Sequence, residues 1–229
     1  ATAYAHATSL WETKQLLQAE TVCRTTLALP LLSGEPRVLL LMRLGVVLHE
    51  LGQHEAAEGI CCDALKIDPT HSKTLNNFAL LLMRRGAVDR AEAALRFALL
   101  SDPTSTSMLC NLGVILVTQG RSVEAGVIFH RAILMTPSRP TPKLLRAKLF
   151  TNLGHVSQDV DVAIAAFRSA FAIMPDDTTV VYNLASALHR TKRSIEHATV
   201  AYIRTLMLNP KHEGALINLG TILVSKLKE

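Results

Sequence analysis

The sequence contains few aromatic residues and few residues that interrupt regular structure. Phe, Trp and Tyr together make up 4% of its 229 residues, which is little for the core of a β-sandwich or β-barrel. Its 11 glycines and 9 prolines are too few for a collagen-like or low-complexity chain. A hydrophobic fraction of 49% against 19% charged residues excludes a mainly disordered chain. The abundance of Ala, Leu and Met therefore predicts an all-α fold.

Long hydrophobic runs and cysteine motifs are also missing. Apolar runs such as Phe78–Met83 cover about one and a half helical turns, whereas a membrane-spanning helix needs about 18 or more apolar residues. The four cysteines, at positions 23, 61, 62 and 110, lack the C-x-x-C spacing of a zinc site and show no disulfide framework. We therefore expect no membrane span, no metal or other cofactor, and reduced cysteines in an intracellular protein. The cytoplasm is the expected compartment, with the nucleus and the cilium as alternatives.

Five prolines recur at nearly constant spacing and mark an internal repeat. They are separated by 34, 34, 38 and 35 residues: Pro69, Pro103, Pro137, Pro175 and Pro210. Twelve, eight and five residues before each proline stand a small residue, a larger apolar residue and a second small residue. These triplets are Ala57, Cys61 and Ala64; Ala91, Leu95 and Ala98; Ala125, Phe129 and Ala132; Ala163, Phe167 and Ala170; and Ala198, Tyr202 and Thr205. Residues spaced by four and three share one face of a helix, so each proline follows a helix, here called helix B.

A second pattern precedes each of these helices. A large apolar residue is followed directly by Gly or Ala in six pairs: Leu44-Gly45, Phe78-Ala79, Leu112-Gly113, Leu153-Gly154, Leu184-Ala185 and Leu219-Gly220. A further apolar residue follows at helical spacing in most copies, which predicts a preceding helix, helix A. Gly52, Gly86 and Gly120 fall between the two helices, where a helix C-terminus favours a residue with positive φ. Each repeat is thus predicted to be a helical hairpin whose small residues let helices A and B approach closely.

These residues resemble the tetratricopeptide repeat (TPR) family, whose unit is a 34-residue hairpin with the Leu-Gly, Ala, bulky, Ala and Pro positions given above. The resemblance implies a single right-handed α-solenoid of stacked helix-turn-helix hairpins over residues 1–229. The expected hairpins are 38–69, 72–103, 106–137, 144–175 and 178–210. Residues 3–29 fit a degenerate first hairpin, and residues 213–227 fit either half a repeat or a capping helix. Residues 138–143, which contain two prolines, are expected to form an extended insertion, and a split into two domains there is the less favoured alternative.

The resemblance also implies a binding surface. In TPR arrays the residue before the Leu-Gly pair lines the inner surface, and here five of six copies carry Asn. The residues at this position are Arg43, Asn77, Asn111, Asn152, Asn183 and Asn218. An amide both donates and accepts hydrogen bonds, so such a row is predicted to hold the main chain of an extended peptide, with Lys73, Asn76 and Tyr182 beside it. The alternative is that each Asn only bonds the neighbouring helix.

Other kinds of site are not supported by the sequence. The TPR clamp for chaperone tails needs a Lys just before the Asn position, and no copy has one. His49 and His54 miss the H-E-x-x-H spacing by one residue, and no nucleophile motif or phosphate-binding loop is present, so no catalytic or metal-ligating residue is expected. Basic clusters within 84–85, 139–148 and 190–193 are predicted to be solvated edges rather than a nucleic-acid surface, because the aromatic residues that stack bases are scarce.

We therefore predict a non-catalytic scaffold or adaptor whose partner is a protein or peptide bound along the Asn positions. One alternative is a structural segment of a subunit in a larger assembly of the transport, ciliary or cell-cycle type. Another is the substrate-recruiting region of an enzyme whose catalytic domain is not in this sequence. The chain starts at Ala1 without Met or a leader pattern, so we expect a piece of a longer protein. A net charge of +5 permits an acidic partner, and an uncapped apolar end would allow self-association.

Overall fold

The computed structural model describes residues 2–30, 32–138, 141–191 and 194–226. These ranges contain thirteen α-helices, one short 3-10 helix at Thr136–Ser138 and no strand. The helices are α1 (Thr2–Glu12), α2 (Leu16–Leu27), α3 (Gly34–Glu50), α4 (His54–Ile67), α5 (Ser72–Arg84), α6 (Val88–Ser101), α7 (Thr106–Thr118), α8 (Ser122–Met135), α9 (Lys143–Val156), α10 (Val160–Ile173), α11 (Thr178–Arg190), α12 (Ile195–Leu208) and α13 (Glu213–Lys226). The all-α prediction is confirmed. None of the helices in these ranges combines the length and hydrophobicity needed to cross a lipid bilayer.

Some residues singled out in the sequence lie outside the described ranges. They are Arg139, Pro140, Lys192, Arg193 and Leu227. Pro142, the described proline of the predicted insertion, is the N-cap of α9 and has extended dihedral angles, φ −54° and ψ 140°. The φ value follows from the proline ring, which fixes φ near −65°.

The chain divides into two compact units, Ala1–Ile115 and Leu116–Glu229, and the division falls within α7 rather than at residues 138–143. Odd-numbered helices take the helix A position of a hairpin and even-numbered helices take the helix B position. In the first unit α1 packs against α2, α3 against α4 and α5 against α6. In the second unit α9 packs against α10, α11 against α12, and α13 against α12. Each unit is therefore built from consecutive helical hairpins.

Contact between the two helices of a hairpin depends on small residues. The helix B triplets are buried, as predicted, with Ala91, Leu95 and Ala98 all fully inaccessible. On helix A, a Cβ added to Gly45 would lie 3.1 Å from Sγ of Cys61. One added to Gly154 would lie 2.7 Å from the ring of Phe167. Since real Cβ contacts are longer than this, a larger residue at Gly154 would overpack the hairpin.

The turns and caps follow from local chemistry. Gly52, Gly86 and Gly120 have φ between 76° and 79°, which confirms the positive φ predicted for them. In the first hairpin Lys14 occupies the same turn position with φ 61°. Asp177 caps α11, because its carboxylate accepts the N–H groups of Thr179 and Val180 at 2.9 and 3.1 Å.

Two histidines cap helices in the same way. His71 precedes α5, and its Nδ1 accepts the N–H of Thr74 at 3.3 Å. His212 precedes α13, and its Nδ1 accepts the N–H of Ala215 at 3.2 Å. Each bond requires an unprotonated Nδ1, so these caps are made by neutral imidazole.

The cysteines are free thiols, and all four lie in the first unit. Cys23, Cys61 and Cys110 are buried and Cys62 is half-buried. Burial raises the pKa of the Cys23 thiol to about 11 and that of Cys61 to about 12. Cys61 serves as the central residue of a helix B triplet, which agrees with its predicted role in the core.

Candidate protein-binding surfaces

The structure places Arg43, the first residue of the predicted binding row, against α1. Its side chain is 9% exposed, and its guanidinium carbon lies 5.4 Å from the ring of Tyr4 and 4.6 Å from that of Trp11. Its Nη2 donates to the Tyr4 hydroxyl at 3.3 Å. Such stacking between a cation and aromatic rings stabilises the first hairpin against α3, so this geometry favours a structural role for Arg43.

The two Asn positions of the first unit have different environments. Nδ2 of Asn111 donates to Oδ1 of Asn76 at 2.9 Å, which joins α7 to α5. Asn77 is half-buried, and its side chain has no hydrogen-bond partner within the described part of the chain. Lys73 is exposed one helical turn before Asn77. A free amide beside an exposed ammonium group is therefore available to a ligand on this side of α5.

In the second unit two of the three side chains at the Asn positions of the predicted row bond a neighbouring A helix. Asn183 is 9% exposed, and its Nδ2 donates to Nε2 of His155 on α9 at 3.2 Å. This bond requires Nε2 to be unprotonated, and burial lowers the pKa of His155 below its ordinary value. Nδ2 of Asn218 donates to the Tyr182 hydroxyl on α11 at 3.3 Å. Nδ2 of Asn152 is buried and has no partner within the described residues.

A simple register rule accounts for two of these bonds. Asn111 and Asn218 each donate to the residue just before the Asn position of the preceding repeat, Asn76 and Tyr182 respectively. For Asn77, the preceding repeat has Arg43 at the Asn position, and the residue just before Arg43 is Met42. Its thioether cannot accept a comparable hydrogen bond. The polarity of that preceding residue is a signal in the sequence that distinguishes an engaged Asn from a free one.

An apolar stripe on α12 is a candidate surface that the sequence analysis missed. Val200, Ile203 and Met207 are 66%, 45% and 78% exposed, and their spacing of three and four places them on one face of the helix. Beside this stripe lies a groove of about 490 Å³ between α10 and α12, with α11 as its floor. Its apolar lining includes Phe171 and Leu184. Apolar residues at helical spacing outside the buried triplet were the available signal.

Polar and charged side chains border the groove on α10 and α12. They are Arg168, Glu196, His197 and Arg204. Nη2 of Arg204 lies 3.1 Å from Oδ1 of Asp176, and its guanidinium carbon lies 5.3 Å from the ring of Phe171. The stripe and groove thus form an apolar surface with a charged rim, the arrangement found at protein-protein interfaces.

The sites that the sequence disfavoured have the following geometry. The turn between α3 and α4 brings the rings of His49 and His54 to a centroid distance of 5.0 Å. Within the described ranges, no group of three or more His, Cys, Asp or Glu residues is placed to hold a metal ion. At the basic edge between α5 and α6, Arg85 forms an ion pair with Glu58, which reduces the positive charge offered there.

Comparison with known proteins agrees with the predicted resemblance. Models of the tetratricopeptide repeat match residues 39–71 and 76–141. No curated protein matches the sequence. Among solved structures, the APC/C hetero-tetramer Cut9-Hcn1 contains a chain with 17% sequence identity and a TM-score of 0.80, over 97% of this chain and 42% of that one. The present chain thus spans less than half the length of that relative.

Two further structures have the same fold. PilF of Pseudomonas aeruginosa has 23% identity and a TM-score of 0.71, over 81% of this chain and 84% of that one. YrrB, described as a TPR protein with an unusual peptide-binding site, has 18% identity and a TM-score of 0.61, over 77% and 89% of the two chains. Together with the repeat matches, the hairpins and their buried triplets, these likenesses confirm the predicted solenoid class and the resemblance to the tetratricopeptide repeat family.

Proposed function

We propose that this chain is a non-catalytic scaffold that acts as a structural segment of a multiprotein assembly, with α12 as a principal contact surface. The observation that carries the proposal is the exposed stripe of Val200, Ile203 and Met207 beside an apolar groove. Burying such residues against a partner removes apolar surface from water, at about 25 cal/mol per Å². The likeness in fold to a chain of a hetero-tetramer over 97% of this chain agrees with an assembly role.

The environment of the Asn row also supports an assembly segment. Asn111, Asn183 and Asn218 use their amide nitrogens within the protein. Each amide nitrogen carries two N–H donors, so at each of these positions a peptide would find one N–H already used, or would have to break the existing bond. The row therefore offers an extended peptide fewer donors than its sequence suggested.

The test compares partners of the wild type with those of Val200→Asp and Met207→Asp combined. Both side chains are exposed, so the variant is expected to keep its helical circular dichroism and melting temperature. Proteins co-purified from cell extract are identified by mass spectrometry, and the affinity of each purified partner is measured by calorimetry. We expect at least tenfold weaker binding for the variant, because two buried carboxylates would lack partners.

A matched control is Leu100→Asp on α6, which changes a residue of similar exposure in the other unit. This variant is expected to retain the partners that require α12. If every partner binds the double variant as tightly as the wild type, α12 is not the assembly surface.

A second candidate function is recognition of an extended peptide on the A helices of the first unit. It is favoured by Asn77, whose amide has no partner within the described residues, and by exposed Lys73 one turn away. The Asn amide would pair with the peptide main chain and Lys73 with an acidic side chain. Arg43, Asn76 and Asn111 complete the predicted row in this unit and would shape the surface rather than supply most of its free donors. The other residues of the predicted row, Asn152, Asn183, Asn218 and Tyr182, belong to the second unit.

The peptide proposal is tested with Lys73→Ala and Asn77→Ala together. Loss of a partner in this variant, with full retention in the α12 variant, would assign that partner to the A helices. Asn111→Ala is the matched control, since it removes an amide already bonded to Asn76 and is expected to lower stability more than affinity. Retention by the Lys73/Asn77 variant of every partner would exclude this surface.

A further inference from the structure

The positive charge of this chain is concentrated in its second unit. Residues 116–229 contain 14 Lys and Arg against 8 Asp and Glu, whereas residues 1–115 contain 10 against 11. With His neutral, the formal charges of the two units at pH 7 are therefore +6 and −1. The α12 surface belongs to the positively charged unit, so a partner that binds there gains from negative charge of its own.

Two apolar hollows meet at the α12 stripe. One is the groove of about 490 Å³ between α10 and α12 described above. The other, also of about 490 Å³, is lined on α12 by Ile203, Met207 and Leu208. Val200 and Arg204 line both hollows. A guanidinium group therefore stands where the two apolar spaces join.

Arg204 is held in place before any partner binds. Its guanidinium carbon lies 5.3 Å from the ring of Phe171, and its Nη2 donates to Oδ1 of Asp176 at 3.1 Å. This is the one hydrogen bond that its side chain makes within the described residues. The Asp176 side chain is 80% exposed, and an ion pair of this kind is weak. Most N–H donors of a positioned cation thus remain available beside apolar surface.

A second guanidinium belongs to the same groove. Arg168 lines it from α10, one helical turn before Phe171. Its side chain is exposed and makes no hydrogen bond or ion pair within the described part of the chain. The carboxylate in the lining of this groove, Glu196, stands eight residues before Arg204, which is about 12 Å along the axis of α12. Positive charge is therefore gathered around Phe171.

We infer that the partner bound at α12 is an acidic protein. Its contacting segment places an apolar side chain in the groove and an Asp or Glu against Arg168 and Arg204. This inference rests on the proposed function and names the chemistry of its partner. A carboxylate can accept two parallel N–H donors from one guanidinium, and such charge-assisted pairs are stronger and more directional than neutral hydrogen bonds.

Other occupants match the groove less well. A second copy of this chain has a charge of +5, so it is repelled rather than attracted by the second unit. A single-stranded nucleic acid would also meet the guanidinium groups, but its bases stack on aromatic side chains. The phenyl ring in the groove, Phe171, is already stacked against Arg204.

The test selects ligands for this surface without assuming their sequence. Phage that display random dodecapeptides are first depleted on a variant with Val200→Gln and Met207→Gln, whose new side chains are neutral and so favour neither charge. The remaining phage are then selected on the wild-type chain. We expect the enriched peptides to combine large apolar residues with Asp or Glu. Failure to enrich any peptide, or enrichment of peptides without an excess of acidic over basic residues, would overturn the inference.

Synthetic copies of the enriched peptides measure the contribution of the two arginines. By fluorescence anisotropy, Arg168→Gln and Arg204→Gln combined should weaken binding about tenfold, because the peptide carboxylate loses both guanidinium groups. Arg146→Gln and Arg190→Gln combined is the matched control, since it removes two exposed cations of the same unit from outside the groove. This control should bind within about twofold of the wild type, because distant charges are screened by salt. Equal losses in the two variants would show that net charge alone attracts the peptide and would overturn the inference.

The outcomes separate this inference from the proposed function. If co-purified partners are lost with Val200→Asp and Met207→Asp but kept with Arg168→Gln and Arg204→Gln, α12 is the assembly surface and the inference about its partner is wrong. If the partners ignore the α12 substitutions while the enriched acidic peptides still require both arginines, the proposed function fails and the preference of the groove for acidic segments stands.

A thiol at position 200 identifies a competing occupant. Val200→Cys is labelled with a maleimide in the 229-residue chain and in the protein expressed from its complete gene, and mass mapping distinguishes the new thiol from Cys62. We expect equal rates of labelling. Slower labelling in the complete protein would assign the groove to a segment of the same chain, and slower labelling at higher protein concentration would assign it to a second copy. Either result, or displacement of the enriched peptides by an equal concentration of a single-stranded RNA dodecamer, would overturn the inference.

Discussion

At the turn between helices A and B one backbone conformation recurs with different residues in it. Gly52, Gly86 and Gly120 have positive φ, and so does Lys14 in the first hairpin. A non-glycine residue in this region costs about 1–2 kcal/mol. Part of that cost is offset by the ion pair between Nζ of Lys14 and Glu50 at 3.0 Å, although exposed pairs contribute only about 0–1 kcal/mol. The turn of the first hairpin therefore contains a slightly strained backbone conformation at Lys14.

We expect Gly86→Ala to lower the free energy of unfolding by about 1 kcal/mol, since the left-handed conformation penalises a Cβ. No atom lies within 4 Å of that Cβ, so the effect comes from the backbone alone. Lys14→Gly should act in the opposite direction, raising stability by about 0.5 kcal/mol after loss of the Glu50 pair. Urea unfolding followed by circular dichroism measures both. Equal stability of Gly86→Ala and wild type would contradict this account.

The Asn positions show how far single residues can be interpreted from sequence. All five Asn positions could be predicted from the sequence, because the Leu-Gly pair sets the register of each repeat. Their hydrogen-bond partners could not be predicted in the same way, because these depend on side chains of the preceding repeat. Asn111 and Asn77 have the same position in their helices, but the residue one place before the Asn position of the preceding repeat is Asn76 for Asn111 and Met42 for Asn77. Only Asn76 provides a carbonyl acceptor, and Asn111 bonds it.

At the scale of one helix, three glycines with the same local conformation have different surroundings. Gly154 faces the buried ring of Phe167, whereas Gly59 and Gly220 have no neighbour within 4 Å of an added Cβ. Alanine is intrinsically better than glycine in a helix by about 1 kcal/mol. The sign of a Gly→Ala substitution therefore depends on what the helix packs against.

We expect Gly154→Ala to destabilise the protein by about 1–2 kcal/mol, because overpacking of Phe167 outweighs the gain in helix propensity. Gly59→Ala is the control and should stabilise by up to about 1 kcal/mol. Thermal and urea unfolding of the two variants would test the difference. A Gly154→Ala protein as stable as Gly59→Ala would show that the Phe167 ring moves aside without cost.

The helix B triplets permit a similar test in the first unit. Ala91 is fully buried at the point where α6 meets α5. Ala91→Leu should cost about 1–3 kcal/mol, since the added atoms have no space. Ala93→Leu, on the exposed side of α6, should change stability little. Similar stabilities of the two variants would mean that the register assigned to α6 is wrong.

At the scale of the whole molecule, three histidines make the folding stability depend on pH. Burial lowers the pKa of His71 and His155 below the ordinary value near 6.5. Burial together with the nearby Arg84 lowers that of His49. The native protein holds these rings neutral, while the unfolded chain protonates them as pH falls through 6.5. Their stabilising effect is therefore complete above pH 6.5 and is lost as pH falls toward the lower native pKa values.

We expect the melting temperature to be lower at pH 5 than at pH 7.5. A protein with both His71→Asn and His155→Gln should show a smaller difference between the two pH values. Asn at position 71 can still cap α5, and Gln at 155 can still accept from Asn183, so the folds remain comparable. An unchanged pH difference in this variant would exclude these two histidines as its source.

The fold of the molecule was predictable from the sequence because it depends on local spacing repeated many times. The Leu-Gly pairs, the triplets and the prolines specify helices, turns and the contacts inside each hairpin. Surfaces were less predictable, since exposure depends on which neighbour is present: Leu188 and Leu223 have equivalent positions, yet one is buried against α12 and the other is half exposed. The α12 stripe was missed for the same reason.

Because every cysteine lies in the first unit, the rate at which the buried thiols are alkylated can report how often that unit opens. All four thiols lie in residues 1–115, and the native environment of Cys23 and Cys61 keeps them protonated and covered. Iodoacetamide reacts with the thiolate, so modification of these two must wait for the first unit to open. When reclosing is faster than alkylation, the rate of mass increase reports the population of the open form. Residues 116–229 contain no cysteine, so alkylation does not report their opening. Comparing the alkylation rate with amide hydrogen exchange would therefore measure the opening of the two units separately, without any substitution.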